Sequence, residues 1–238
     1  MNIDGKKALV LGGTSGIGLA AAQRLVAGGA SVVAFSRSAE HRAAAAETLG
    51  PGATVAALDV TDRAAMAAAF AEHAPFDILV NAATGGERAV GPFLQMDLDG
   101  FQGSFRKLWG YVNAVHIGAP HLAAGGCIVL VSGSPARKCQ PGMSAISTVG
   151  NAVEGFVRAV APELAPRRIN VVSPGIIDTP MFAASGDART EFLNRATANN
   201  LIKRAGTPDE VAMAILFAIE NDFVTGTTID VDGGALLP

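Results

Sequence analysis

Seven short runs rich in valine, isoleucine and leucine recur along this chain, and segments with helical spacing of apolar residues lie between them. The runs are "KALVLG", "SVVAFS", "TVAALDV", "DILVN", "CIVLVS", "INVVS" and "TTIDV". Runs this short and uniformly apolar suit strands buried on both faces. The helical segments cover residues 16–27, 39–49, 62–73, 98–122, 141–164 and 208–220. Strand and helix alternating in this way predict one α/β domain over residues 1–238, a doubly wound, seven-stranded parallel sheet with helices on both faces. Residues 181–204 interrupt the rhythm before the seventh strand. An insertion there either covers a ligand crevice at the carboxyl edge of the sheet or serves as a structural loop.

Composition narrows the function. Half of the 238 residues are hydrophobic and 16% are charged, ample for a large buried core. The net charge is -3, and Arg167-Arg168 is the one basic pair that stands out, so nucleic acid is not expected as a partner. Cys127 and Cys139 fit a reducing compartment, and His41, His73, His116 and His121 lack metal-ligand spacing, so no metal site is expected. The start "MNIDGKKALV" has no long apolar core of a signal peptide and reads as cytoplasmic. Residues 108–136 contain no Asp, Glu, Lys or Arg, which could suggest a membrane span. Asn113, His116, Gly118, Pro120, His121 and Gly125-Gly126 interrupt that stretch, which reads instead as helix, turn and strand.

The first strand runs into "LGGTSGIGLAAAQRL", where Gly12, Gly13, Gly16 and Gly18 crowd the turn before a helix, together with Thr14, Ser15 and Ile17. Glycines let the backbone turn tightly and approach a diphosphate, whose charge then meets free N–H groups at the helix N-terminus. A lone glycine pattern is weak evidence, but this one follows a strand, opens a helix, and is followed about 20 residues later by "FSRS". An acidic residue there would bind the free ribose 2'-hydroxyl of NAD. This chain has Ser36 and Arg37, which suit the 2'-phosphate of NADP(H), unless Arg37 simply caps a strand at the surface.

Over essentially its full length the chain resembles the short-chain dehydrogenase/reductases, a family with the Rossmann fold. The resemblance rests on Gly12-x-x-x-Gly16-x-Gly18, "LDVTD", Asn81, "SPGIIDTP", "GTPDEVA" and "TGTTIDVDGG". It implies that Asp59 and Val60 hold the adenine, that Asn81 braces the fourth strand, and that Pro174, Gly175, Ile177 and Thr179 line the nicotinamide and diphosphate. Leu11 stands where the family usually has Thr, and "NAAT" (residues 81–84) replaces the usual Asn-Asn-Ala-Gly. The family's long helices, here 98–122 and 141–164, pair across a two-fold axis, which implies a homodimer or homotetramer.

The same resemblance exposes a gap. Carbonyl reduction puts negative charge on oxygen, which needs a proton or a fixed positive partner. The family supplies a Tyr and a Lys four residues apart; alignment places Ile146 and Gly150 there, and neither can move a proton. The family's Asn on the preceding helix corresponds to Lys107. Near the family's Ser position lie Ser132 and Ser134, with Gly133 between them. Lys107 either protonates or stabilises the substrate oxygen, or replaces a structural Asn. Tyr111, one turn on, could form a relocated pair with Lys107 or be ordinary packing. Arg137 and Lys138, with Lys107, would favour an anionic substrate or else belong to a solvated loop. The expected function is an NADP(H)-dependent oxidoreductase acting on a small carbonyl or alcohol with a rearranged active site. The alternative is a catalytically silent NADP(H)-binding sensor or scaffold, and a lyase or dehalogenase ranks below both.

Overall fold

The computed structural model describes residues 1–84, 86, 88–182 and 184–237; Ala183, within the 181–204 insertion, and Pro238 lie outside the described residues. Strand β1 (Lys7–Leu11) passes through the glycine turn into α1 (Gly16–Ala27), and β2 (Ser31–Ser36), α2 (Ala39–Leu49), β3 (Ala53–Ala57), α3 (Arg63–Glu72) and β4 (Phe76–Asn81) follow. The chain continues through α4 (Leu98–Ser104), α5 (Arg106–Gly118), β5 (Leu122–Val131) and α6 (Ser144–Leu164). It ends with β6 (Arg168–Pro174), α7 (Gly186–Thr197), α8 (Pro208–Glu220) and β7 (Thr228–Val231). All seven expected strands are present, paired in parallel in the order β3-β2-β1-β4-β5-β6-β7. The order reverses between β1 and β4, which opens a crevice beyond their carboxyl ends.

The period of two along each strand sorts its side chains into two cores. Ala8, Val10, Val32, Ala34, Ile78, Val80 and Val129 face Ala21, Leu25, Val211, Ile215 and Ile219 of α1 and α8. Their neighbours Leu9, Leu11, Val33, Phe35, Leu79, Ile128 and Leu130 face Met66, Phe70, Tyr111, Val115, Val153 and Val157 of α3, α5 and α6. Burying each of the larger side chains contributes about 1.5–3 kcal/mol, so a strand apolar on both faces has no stable place except between two helical layers. Helix starts follow local chemistry. The Ser38 hydroxyl and Asp62 carboxylate accept from the third backbone N–H beyond them, and Thr207 and Glu210 form a reciprocal capping box.

Two expectations need correction. The helix expected over 98–122 is two helices: the Ser104 hydroxyl donates back to the Gly100 carbonyl and accepts from Ala89 N–H, and the chain bends at Phe105. Strand β5 begins five residues before "CIVLVS", with an irregularity opposite Phe76 and Ile78. Gly126 permits it, because a Cβ there would lie 2.5 Å from the Leu122 side chain and 2.9 Å from the Asp77 carbonyl. The 181–204 segment contains a helix, α7, tied down by Arg189. That guanidinium pairs with Asp178 and donates to the carbonyls of Thr179, Phe182 and Ala184. Among the described residues no helix is long and apolar enough to cross a membrane.

Candidate active site

The crevice floor is the glycine turn. Gly12 has a φ of +74°, and a Cβ there would sit 2.8 Å from the Ala83 nitrogen, so the turn lies against the chain leaving β4. At Gly18 a Cβ would come within 2.1 Å of the Gly12 carbonyl oxygen, which forces glycine at the start of α1. Ser15 caps α1 in an extended conformation without spending its hydroxyl on a capping bond, and Thr14 is buried. Thr179, from the segment after β6, packs against Gly16. Gly16 and Thr179, 163 positions apart, thus meet at one turn.

At the end of β2 the Arg37 guanidinium stands 3.7 Å from the Asp59 carboxylate, half-exposed, while Arg42 donates to the Ser36 and Arg37 carbonyls. Burial works against charge on Asp59, but hydrogen bonds from Thr61 and the charges of Arg37 and Arg106 leave its carboxyl below the usual range. Val60 is buried, and Gly110 on α5 is small because a Cβ would lie 2.6 Å from the Val60 side chain. Asn81 is fully buried; its amide donates to the Gly110 carbonyl and its oxygen accepts from Ala83 N–H, so the altered "NAAT" still braces β4. Pro174 closes β6 opposite Val231, Gly175 fits against Asp232, and Ile177 is buried and bridges to Gly206.

The other wall is built from β5, α5 and α6. The Lys107 amine reaches from α5 to the Ser132 carbonyl at 3.2 Å and lies 5.5 Å from the centre of the Tyr111 ring. Burial, with the charge of Arg88 adding to it, lowers the Lys107 pKa from its ordinary value to about 7. Tyr111 is core. It is wholly buried, its hydroxyl donates to the Val131 carbonyl at 2.7 Å, and burial drives its phenol far above the usual range, which removes it as an acid.

Ser132 turns its hydroxyl to the Gly150 carbonyl at 3.3 Å. Ser134 is buried in the turn formed by residues 134–136, and no side-chain bond joins it to Lys107 among the described residues. A Cβ on Gly150 would meet the Ala136 Cβ at 2.8 Å, so that turn occupies the space a longer side chain would enter. Asn151 ties the turn down at the Ala136 carbonyl. Ile146, half-buried, offers no titratable group. Arg137 is not free for a substrate, because it pairs with the buried Glu154 of α6 and with Asp230 of β7.

Residues 12–235 match the family model described as enoyl-(acyl carrier protein) reductase. A cyclic-di-GMP-binding biofilm dispersal mediator protein of Escherichia coli K12 is 35% identical, with 96% of each chain covered. Among solved structures, a short chain dehydrogenase/reductase family protein superimposes with a TM-score of 0.88 at 36% identity over all of both chains. A small-chain dehydrogenase in complex with NADPH gives 0.84 at 32%, covering 99% of this chain and 100% of that one. The chain belongs to the short-chain dehydrogenase/reductase family.

Within this short-chain dehydrogenase/reductase, sequence reading named the glycine turn, Arg37, Asp59 and Lys107, and the structure brings Arg37 to Asp59 and Lys107 to the Ser132 carbonyl. It missed the filling of the Gly150 site by Ala136, since nothing in "SGSPARK" signals which helix face the turn will cover. It also missed Arg88, whose guanidinium contacts the Met181 sulfur and thereby joins the segment after β4 to the one after β6. A basic residue soon after the fourth strand was the available signal.

Proposed function

We propose that this chain is an NADP(H)-dependent oxidoreductase that interconverts a small carbonyl compound and an alcohol, with Lys107 in the role usually shared by Tyr and Lys. The observation that carries this reading is the amine of Lys107, half-buried against the Ser132 carbonyl, with its proton affinity lowered to about pH 7.

The residues fit the cofactor. The cradle at Gly12 and Gly18 leaves no room for Cβ atoms, Ser15 spends no hydroxyl on capping α1 and Arg37 supplies a cation at the end of β2. Gly12, Thr14, Ser15, Gly16, Ile17 and Gly18 would hold the diphosphate, Ser36 and Arg37 the 2'-phosphate, and Asp59 and Val60 the adenine. Asn81, Pro174, Gly175, Ile177 and Thr179 would place the nicotinamide end. The crystallised relative with NADPH supports this assignment. When bound, the nicotinamide supplies or accepts a hydride.

Lys107 supplies the proton side of the reaction. In its ammonium form it donates to the oxygen of a carbonyl substrate, and in its amine form it accepts a proton from an alcohol. Ser132 holds the amine in place through its carbonyl, and Ser134 lies in the turn beside it. Segment 181–204, fastened by Arg189, would cover the substrate. Carbonyl reduction is therefore expected to fall as pH rises through about 7, and alcohol oxidation to rise over the same interval.

The silent NADP(H)-binding reading is favoured by one observation, the turn of residues 134–136 packed where the family's lysine would enter. Turnover separates the two. NADPH oxidation followed with a panel of carbonyl compounds should register activity, and Lys107→Met should lower kcat by about 10²- to 10⁴-fold with NADPH affinity unchanged. NADPH binding with no consumption across the panel would establish the silent reading. A homodimer or homotetramer is the expected assembly, supported by Leu98 of α4 and Trp109 of α5, both exposed on the chain alone. A monomer in light scattering would overturn that.

A further inference from the structure

Helix α5 meets the loop after β3 through two residues three positions apart, on one face of the helix. Gly110 lets the helix backbone come down on the Val60 side chain, where a Cβ would lie 2.6 Å away. Asn113 is buried, and its amide works in two directions. The nitrogen donates to the Val60 carbonyl at 3.2 Å, and the oxygen accepts from the Arg63 guanidinium at 3.1 Å. Neither the glycine turn nor the wall around Lys107 uses this side chain.

The Val60 carbonyl belongs to a planar trans peptide group whose other end is the Thr61 N–H, and the two point in opposite directions. That N–H donates to Oδ1 of Asp59 at 2.8 Å, and the Thr61 hydroxyl donates to the same oxygen at 2.7 Å. Holding the carbonyl from α5 therefore aims the N–H at the carboxylate, and a bond at one end of a peptide group strengthens the donor at the other. Oδ2 of Asp59 faces Arg37 at 3.7 Å, beyond hydrogen-bond distance, so it retains capacity to accept. We propose that Asn113 is a positioning residue for the nucleotide: through the Val60–Thr61 peptide group it holds the Asp59 carboxylate so that Oδ2 accepts from the exocyclic amine of adenine. The inference rests on the proposed NADP(H) reading and adds that the base is discriminated from α5. The helix that carries Lys107 to the Ser132 carbonyl thereby also aligns the group that reads the base, so both ends of the nucleotide are referenced to one rigid element.

Fluorescence titration with NADPH and with its hypoxanthine analogue, in which a carbonyl oxygen replaces the amine, tests this. The wild-type chain should bind NADPH about tenfold or more tightly, because the analogue turns an oxygen toward the carboxylate. Asn113→Asp keeps the acceptor for Arg63 and removes the donor to Val60, so most of the preference should disappear, chiefly through weaker NADPH binding. Asn113→Ala, which introduces no charge, should do the same. Arg63→Gln removes only the other arm and should leave the preference intact. In an Asp59→Ala background, where the reader itself is gone, Asn113→Ala should change the preference no further. Equal binding of the two nucleotides by the wild-type chain, or a preference that survives both Asn113 variants, would overturn the proposal. So would an equal loss in Arg63→Gln, which would reduce Asn113 to a tie between α3 and α5. No binding of either nucleotide would instead count against the NADP(H) reading itself.

Discussion

Gly18 and Gly150 are both glycines at which a Cβ would strike a neighbour, and the two collisions have opposite meanings. At Gly18 the obstacle is the Gly12 carbonyl, 2.1 Å away, and the close approach makes the tight turn that the proposed diphosphate site requires. At Gly150 the obstacle is Ala136, 2.8 Å away, and the crowding fills a place. On the proposed function the nucleotide half keeps a ligand site open, whereas at α6 the turn of residues 134–136 closes the space beside Gly150 and the Lys107 amine enters from α5.

Gly18→Ala attacks the open side and carries the largest expected effect. Backbone must move to admit the methyl group, so stability should fall by more than about 3 kcal/mol in urea unfolding, with NADPH binding lost. Arg37→Gln is expected to weaken NADPH binding by roughly 2–3 kcal/mol, the worth of a charge-assisted contact to the 2'-phosphate, while NADH binding stays as it was. Equal losses for both nucleotides in fluorescence titrations would take the 2'-phosphate away from Arg37.

Gly150→Ala probes the closed side. Its methyl group meets a side chain on a short turn that can shift, so a smaller loss of about 1–3 kcal/mol is expected. The double change Ile146→Tyr with Gly150→Lys should likewise lower the thermal midpoint, with no gain in NADPH-dependent turnover while Ala136 stays where it is. A gain would show that the turn yields easily, and the contrast between the two glycines would collapse.

The smallest expected effect concerns Lys107 and its pH dependence. Between about pH 7 and 10 the unfolded chain keeps a proton on this lysine that the folded chain has released, so the folded state gains stability as pH rises and the cost is fully present below pH 7. Lys107→Met removes the cost. The variant should be more stable by about 1–2 kcal/mol at pH 7, after allowing for partial solvent contact, and the advantage should vanish towards pH 10. A pH-independent difference would mean that the amine is well solvated.

Much of the nucleotide half was legible because its physics is local. The turn needs glycines at fixed spacing within a few residues, and α1, α2 and α8 run over the residues the sequence pattern gave them. Arg37 and Asp59 are only 22 positions apart and are brought together by two adjacent strands, β2 and β3. The other half depends on contacts between distant segments. The break at Phe105 comes from Ala89 meeting Ser104, and Arg137 is claimed by Asp230, 93 residues away. Neither contact leaves a trace in local period or composition. Ile146 and Gly150 could be read from the sequence; the packing of Ala136 onto Gly150 could not.

The packing of Ala136 onto Gly150 also sets how many places must change together. Room for a longer side chain at position 150 requires moving a turn whose surroundings are tied by the Ser132 hydroxyl on the Gly150 carbonyl, Asn151 on the Ala136 carbonyl and Arg137 on Glu154. This corner of the molecule can therefore be redrawn only by redesigning turn and helix as one unit.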